Sequence, residues 1–354
     1  RRNYARIREA VGPEVRILPM VKANAYGFGM TEVVNRLEPL EPWGFGVAAI
    51  SEGVALRQSG VERPVVVCSP APIADMGEAV RADLQLSIPS TEALVALGQV
   101  AEAAGRTASW HLDVDTGMGR SGFDWRRVEE WMPEVARDRS ALQWTGVYTH
   151  LHSADESAPT VHEQWQRLQQ VLEQIPTAPE GLMVHVLNSA GSFRTPEYAR
   201  SVVRPGIFLY GGRVGPEQPE PEPVASVHAR VVHLRDAAPG TTLGYGSTYT
   251  ATVSERWATL SIGYGDGLPR ALSNRGYAIV EGEKVPIIGR ISMDVTVLNI
   301  TGIPDVKVGD VVTFFGRALG GEITLEEVAG NAETINYEVL TGLTQRLPRI
   351  WTDD

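Results

Sequence analysis

From Val15 to about Gly211, short aliphatic and β-branched runs alternate with longer segments of helical periodicity. Eight runs read as strands: Ile17–Ala23, Gly44–Ile50, Pro64–Ser69, Leu84–Ile88, Ser109–Asp115, Trp144–His150, Leu182–Leu187 and Val202–Tyr210. Between them Ser51–Ser59, Ser90–Ala104, Trp125–Arg137 and Pro159–Gln174 read as helices, several with a Ser, Thr or Asp placed to cap the first turn. Residues 1–10 also look helical. Strands alternating with helices imply parallel strands joined by right-handed crossovers. About eight such units in about 200 residues favour a closed (β/α)8 TIM-like barrel, with an open doubly wound sheet as the alternative. The stretch Gly215–Pro223, where Pro and Glu alternate, can bury nothing and marks a linker. Beyond it, runs such as Ala225–Leu234, Trp257–Ile262, Lys284–Ile288 and Val308–Phe315 are short and separated by Gly or Asp turns. They predict a mainly antiparallel β domain with one small helix near Thr324–Val328. The expected division is a barrel over residues 1–223 and a β domain over residues 224–354.

Composition narrows this picture. The 354 residues are 43% hydrophobic, enough to bury a core without disulfide or metal. Lys and Arg total 32 against 43 Asp and Glu, and the resulting charge of −11 argues against nucleic acid or an anionic membrane as a general partner. No apolar stretch approaches the roughly 20 residues of a membrane-spanning helix. The lone cysteine, Cys68, follows Val65-Val66-Val67 and reads as a small buried hydrophobe of a protein in a reducing compartment, so a cytoplasmic location is expected. The abrupt Arg1-Arg2-Asn3-Tyr4 start predicts that a preceding segment is missing.

Active sites of such barrels form at the C-terminal ends of the strands. Lys22 is expected there at the end of the first strand, Asp113 and Asp115 at the fifth, His150 at the sixth, Asn188 and Ser189 after the seventh, and Arg204 in the eighth. Gly117-Met118-Gly119-Arg120-Ser121-Gly122 matches the dinucleotide pattern G-x-G-x-x-G. It follows the fifth strand rather than the first, however, and carries a long Arg where a pyrophosphate needs bare backbone. A close-approach loop that delivers Arg120 is the better reading. Lys22 closes an apolar strand in Val21-Lys22-Ala23-Asn24-Ala25-Tyr26-Gly27-Phe28-Gly29. Such a lysine either emerges into water or has its pKa lowered by burial, and the second state is what Schiff-base chemistry requires.

That nine-residue stretch resembles the cofactor-lysine motif of the alanine racemases, pyridoxal-phosphate enzymes that interconvert L- and D-alanine. Asp115–Arg120, Tyr148-Thr149-His150, Asn188-Ser189-Ala190, Val203–Ile207, Gly244-Tyr245-Gly246, Ile262–Gly267, Gly289–Asp294 and Arg346–Arg349 match in the family's order, over nearly the whole chain. The resemblance implies pyridoxal 5'-phosphate carried on Lys22, with Lys22 as base on the D face of the substrate and Tyr245 on the L face. It implies that Arg204 meets the pyridine nitrogen, with His150 and Asn188 also lining the cofactor. Tyr26, Ser189 and the Gly206 and Ile207 amides would hold the phosphate, and Arg120 and the Met293 backbone the substrate carboxylate. Tyr264 and Asp294 would shape the entrance. It also implies a homodimer whose β domains complete each other's sites, with no metal. Removing a proton from one face of a planar carbanion and returning it on the other needs two groups, which makes the Lys22–Tyr245 pair chemically minimal.

Three positions depart from the family. Asp113 stands where many members carry a carbamylated lysine and is expected to support Arg120. Phe28 replaces a histidine and reads as packing. Gln345 replaces a tyrosine that reaches toward the phosphate, so serine is a possible second substrate. The family's first strand is absent, in keeping with a missing N-terminal segment. The rival readings are a basic amino-acid decarboxylase of the same fold, a broad-specificity periplasmic racemase, a non-catalytic vitamin B6 carrier and a cofactor-free barrel lyase. The decarboxylase is disfavoured by Arg204, because those enzymes place an acid against the pyridine nitrogen.

Overall fold

In the computed structural model, which describes residues 1–352, the alternating pattern becomes eight parallel strands. These are β1 (Arg16–Ile17), β2 (Phe45–Val47), β3 (Val65–Val67), β4 (Gln85–Ile88), β5 (Ala108–Asp115), and then, after a two-residue strand β6 (Phe123–Asp124) paired beside β5, β7 (Leu142–Tyr148), β8 (Met183–Asn188) and β9 (Val202–Arg204). Neighbours run β1-β9-β8-β7-β5-β4-β3-β2. The residues after β1 close the ring. On one side the Leu18 and Met20 amides donate to the Val203 and Pro205 carbonyls at 2.9 and 2.8 Å; on the other, the Gly46 amide donates to Pro19 O at 2.9 Å and the Val21 amide to Gly46 O at 2.8 Å.

Continuous apolar strands suit this setting, because helices cover the outside of a parallel sheet while side chains fill its interior. Val65, Val66 and Val67 are all fully buried. The helix Thr91–Ala104 shows how the local sequence sets its limits: Ser90 Oγ accepts from the Ala93 amide at its start, and Gly105 takes the left-handed conformation at its end.

Three boundaries differ from expectation. The last strand stops at Arg204 rather than Tyr210, because Pro205 has no N–H for the ladder; Ile207–Tyr210 is a short 3₁₀ turn. The expected strand ending at His150 ends at Tyr148. The first strand is only Arg16–Ile17, followed by a bridge from Met20 to Gly46, and from Lys22 the chain takes a turn of a different hand, described below.

The first unit comprises Arg1–Ala25, Gly29–Leu209 and Val214–Glu220; the second comprises Tyr26–Phe28, Tyr210–Arg213 and the chain from Pro221 onward. The second unit is antiparallel, built from β10 (Val227–Ala237), a β11–β12 pair (Thr242–Leu243 with Tyr249–Thr250), β13 (Glu255–Leu260), β14 (Tyr277–Val280), β15 (Glu283–Ile288), β16 (Thr296–Asn299), β17 (Val311–Ala318) and β18 (Gly321–Ile323). The long strand β10 pairs with β17 through its first half and β13 through its second, with a register shift between Val231 and His233, so the order β10-β13-β16-β15-β14-β17 closes on itself. Two small helices occur instead of one, Leu325–Asn331 and Asn336–Thr341. Thr324 caps the first; the second is only six residues long, too short to show a helical period. Phe28 packs as expected, its ring stacked on Tyr210 at 5.4 Å. No helix among the described residues is long and apolar enough to cross a membrane.

Candidate active site

Lys22 opens a left-handed turn. Ala23, Asn24, Ala25 and Tyr26 all have φ between 51 and 54°, a conformation that costs roughly 1–2 kcal/mol for each residue with a Cβ. Such strain persists only where the surroundings over-determine it. Here Glu52, in the first turn of the helix Ile50–Gln58, accepts the Ala23 amide on Oε1 at 2.6 Å and the Ala48 and Ala49 amides on Oε2 at 2.9 and 3.2 Å. Asn24 accepts the Met30 amide on its side chain at 2.8 Å and the Gly29 amide on its carbonyl at 2.9 Å. Burial pushes the Lys22 ammonium pKa down; Cys68 is the next influence and opposes it, as Glu52 does, while Arg120 and Arg204 push the same way as burial. This is the lowered-pKa state that nucleophilic amine chemistry needs.

The barrel interior at this end is polar. Arg204, at the end of β9, is 4% exposed and is paired with no carboxylate among the described residues. One terminal nitrogen donates to His185 Nδ1 at 3.1 Å and His185 O at 2.8 Å, the other to Thr149 O at 2.8 Å and Val186 O at 3.3 Å. Its Nε–H is the remaining donor. Because a guanidinium can only donate, His185 Nδ1 must accept. The His185 Nε2–H then donates to His111 Nδ1 at 3.0 Å, and the His111 Nε2–H to Gln85 Oε1 at 2.7 Å. Both imidazoles are thereby fixed as neutral. Burial first, with Arg204 second, pushes His111 down to about 3 and His185 well below the usual histidine range. His111 on β5 reaches His185 on β8 across the intervening β7 because residue 146 is glycine; a Cβ there would lie 2.3 Å from His111 Nδ1.

Asp113, two residues along β5, is also buried. Desolvation raises it to about 6, while hydrogen bonds from Ser121 and Tyr148 and the charges of Arg204 and Arg120 pull the other way. Its Oδ2 accepts from Ser121 Oγ at 2.8 Å; Arg120 lies within electrostatic reach but is not hydrogen-bonded to it. The Arg120 loop is instead tied by Asp115, which accepts the Gly117 amide at 2.9 Å and the Gly119 amide at 3.0 Å, and Arg120 itself is exposed. The His150 ring follows β7, and burial together with Arg204, Arg120 and Lys22 pushes it down to about 3, so it can serve a ligand as a donor or acceptor but not as a cation. Cys68, after β3, is partly exposed rather than fully buried; it packs on Leu18, Val66, Met183 and Val202, and burial raises its thiol to about 11. Ser189 Oγ accepts the Gly206 amide at 2.7 Å, while Asn188 caps the helix Ser189–Arg194 by accepting the Gly191 amide at 2.9 Å. Ile207 begins the turn after Gly206.

The first unit therefore places Arg120 and Arg204 within electrostatic reach of Lys22, Asp113 and His150, and Lys22 within reach of His150. The remaining candidates lie in the second unit. Tyr245 is 71% exposed in a turn entered through Gly244 (φ 70°) and continued by Gly246 (φ 72°). Tyr264 and Met293 are exposed neighbours, since the Tyr264 amide donates to Ser292 O at 3.0 Å and the Gly265 amide to Met293 O at 2.8 Å. Asp294 accepts Arg346 at 2.8 Å, and Arg346 also pairs with the buried Asp266 at 3.2 Å. Tyr26 stacks on Tyr210 at 4.6 Å.

Sequence reading missed Glu52, Gln85, His111 and His185. The signal for the histidines was present: His185 interrupts the apolar run of β8, and His111 stands between Trp110 and Leu112 on β5.

The family description "Alanine racemase, N-terminal domain" matches residues 1–214, and "Alanine racemase, C-terminal domain" matches residues 224–351. The chain belongs to the alanine racemase family. The alanine racemase of Halothermothrix orenii is 35% identical over 98% of the chain and 93% of the relative. Among solved structures, the Bacillus anthracis alanine racemase with bound L-Ala-P superposes with a TM-score of 0.92 at 30% identity, covering 100% of this chain and 92% of that one. The Bartonella henselae alanine racemase with covalently bound pyridoxal phosphate gives 0.90 at 28% identity, covering 99% and 96%. The barrel and β domain are those of alanine racemase structures.

Proposed function

We propose that this alanine racemase family member interconverts L- and D-alanine with pyridoxal 5'-phosphate, in sites shared between two subunits, and supplies D-alanine for cell-wall peptidoglycan in the cytoplasm. The observation that carries the reading is the grouping of a lysine of lowered pKa with two arginines at the C-terminal end of a parallel barrel. The donor set suits the cofactor: an amine for its carbonyl carbon, the Ser189 hydroxyl and the Gly206 and Ile207 amides with Tyr26 for its phosphate, and the Arg204 Nε–H for its ring nitrogen. When bound, the pyridoxal ring supplies an electron sink that makes the substrate α-proton removable.

The chain's own groups then divide the work. Arg204 cannot take up a proton, and its acceptors are carbonyls and a neutral imidazole, so it stays a cationic donor across the working pH range. Arg204 would thus leave the ring nitrogen unprotonated, which would limit delocalisation and favour prompt return of the proton. Lys22 takes or gives the α-proton on the D face and the partner subunit's Tyr245 on the L face. Arg120 and the Met293 amide hold the substrate carboxylate, while Asp113 supports Arg120 by charge. Tyr264 and Asp294 border the entrance, and His150 and Asn188 line the cofactor.

Deuterium wash-in with each enantiomer of alanine tests this reading. The expected result is α-deuterium and both enantiomers from either one, and release of unexchanged alanine would overturn it. Lys22→Ala should abolish the borohydride-sensitive visible absorbance. Tyr245→Phe should keep that absorbance and lose L-side turnover much more than D-side turnover; intact turnover in both directions would remove Tyr245 from its role. Serine, tested beside alanine, reports on the space left by Gln345. Its kcat/KM should lie within about a thousandfold of alanine's, about 4 kcal/mol in barrier.

A further inference from the structure

The helix Ala158–Glu173 carries one polar side chain on its buried apolar face. Val161, Trp165, Leu168 and Val171 pack inward as the period demands, and Gln164 joins them with 0% exposure. A buried amide must be bonded through both its oxygen and its nitrogen or it destabilises the fold. Gln164 Nε2 donates to Thr116 Oγ1 at 3.1 Å and to His150 O at 3.0 Å, and its Oε1 accepts the His152 amide at 3.1 Å. All three partners lie in two catalytic-end loops, one after β5 and one after β7. The first carries Arg120 and the second carries His150.

Neighbouring groups extend the same contact. Thr116 Oγ1 lies 2.7 Å from the buried Thr149 Oγ1, and the Thr149 carbonyl is one of the four acceptors that hold Arg204. Arg167, one turn after Gln164, donates to Thr116 O at 2.8 Å and lies over the Trp125 ring at 5.4 Å. Gly117, with φ of 147°, passes so close that a Cβ would come within 2.9 Å of the Arg167 guanidinium and 3.7 Å of Gln164 Cγ. One helix face thus grips both loops from behind.

We infer that Gln164 is a positioning residue of the active site: a clasp whose three hydrogen bonds set the Arg120 loop and the His150 loop in register with each other. The inference rests on the proposed function for its catalytic meaning, whereas the holding of the loops is independent of it. Beside their strands and the Thr116–Thr149 hydroxyl contact, this side chain bonds both loops at once and so fixes the spacing between a carboxylate-binding arginine and the Thr149 support of Arg204.

The experiment compares Gln164→Leu, which keeps the bulk and removes all three bonds, with Leu168→Ala, which removes packing one turn further along the same buried face. Gln164→Glu serves as a milder variant that keeps the acceptor for His152 and loses both donors. Amide hydrogen exchange, measured on the cofactor-loaded protein and after cofactor removal, should quicken at least about tenfold over residues 116–120 and 150–153 in Gln164→Leu. In Gln164→Glu, which loses the bonds to Thr116 and His150 O but keeps the His152 amide, the quickening should be greater over residues 116–120 than over 150–153. In Leu168→Ala neither loop should respond selectively. In the same variants KM for alanine should rise about tenfold in Gln164→Leu with kcat within about twofold, and stay near wild type in Leu168→Ala. Unchanged loop exchange in both Gln164 variants, unchanged KM despite quickened exchange, or the same loop and KM response from Leu168→Ala would each overturn the clasp. Absence of alanine racemisation by the wild-type protein would instead overturn the proposed function, and the exchange comparison would still decide the clasp.

Discussion

His111 shows how one residue links the barrel interior to a measurable pH response. Its imidazole takes up a proton near pH 6.5 in an unfolded chain and only near pH 3 in the folded one. Between those values the unfolded state binds more protons, so stability falls as pH drops, starting near 6.5 and ending near 3. Asp113 has the opposite sign. Raised from 3.8 to about 6, it favours the folded state as pH falls through that window, and that stability is lost as pH rises through it. His111→Gln removes one titrating group and leaves Asp113, His150 and His185 in both proteins. Urea unfolding at pH 7 and pH 5 should therefore show a loss in the variant smaller by about 2 kcal/mol than in the wild type. An equal loss in both proteins would mean that His111 is not held neutral. The glycine at position 146 belongs to the same argument, since it allows the two imidazoles to meet through β7.

At the scale of the element, the turn from Lys22 to Tyr26 sets four residues with side chains against their preferred handedness, and Glu52 is the group that ties it to the barrel. Glu52→Ala frees three amides at once. Bonds to a charged acceptor contribute about 1.5–3 kcal/mol each when lost singly, and water can recover part of that at partly exposed amides. Unfolding free energy should fall by about 2 kcal/mol, and the fraction of protein labelled by borohydride reduction should fall with it as the Lys22 amine loses its fixed direction. Retention of both would show that Asn24 and the flanking strand suffice to hold the turn. This element also marks where sequence reading stopped. The strands and the capped helix Thr91–Ala104 were legible because burial on a parallel sheet and capping leave local patterns. The eighth strand ends before Pro205, whose missing N–H is itself a local signal of that end. The left-handed turn left no such pattern: Ala-Asn-Ala-Tyr has no glycine to announce φ > 0, and its cause is a carboxylate 29 residues away from Ala23. The candidate site divided in the same way. Lys22, Arg120, His150 and Arg204 stand in motifs that could be read in line, whereas Gln85, His111, His185 and Gln164 acquire meaning only once strands from distant segments are side by side.

For the whole molecule, the proposed function draws on residues of both units, and Tyr245, Tyr264 and Met293 are exposed in the second. If those residues act on the partner subunit's Lys22, two inactive variants can repair each other. Lys22→Ala lacks the base on one face and Tyr245→Phe the base on the other. In a heterodimer of the two, one site receives both defects and the other receives neither. Random exchange of equal amounts makes half the dimers mixed, each with one of two sites intact, so activity should recover to about a quarter of wild type. Recovery should follow the rate of subunit exchange and depend on protein concentration, because it requires dissociation. A mixture that stays as inactive as its components, while sedimentation or native mass spectrometry shows mixed dimers, would place both bases in one chain and end the shared-site proposal. Single dimers examined by mass spectrometry after borohydride reduction should carry one label in the mixed species, two in the Tyr245→Phe dimer and none in the Lys22→Ala dimer, which ties the recovered activity to the one subunit that retains its lysine.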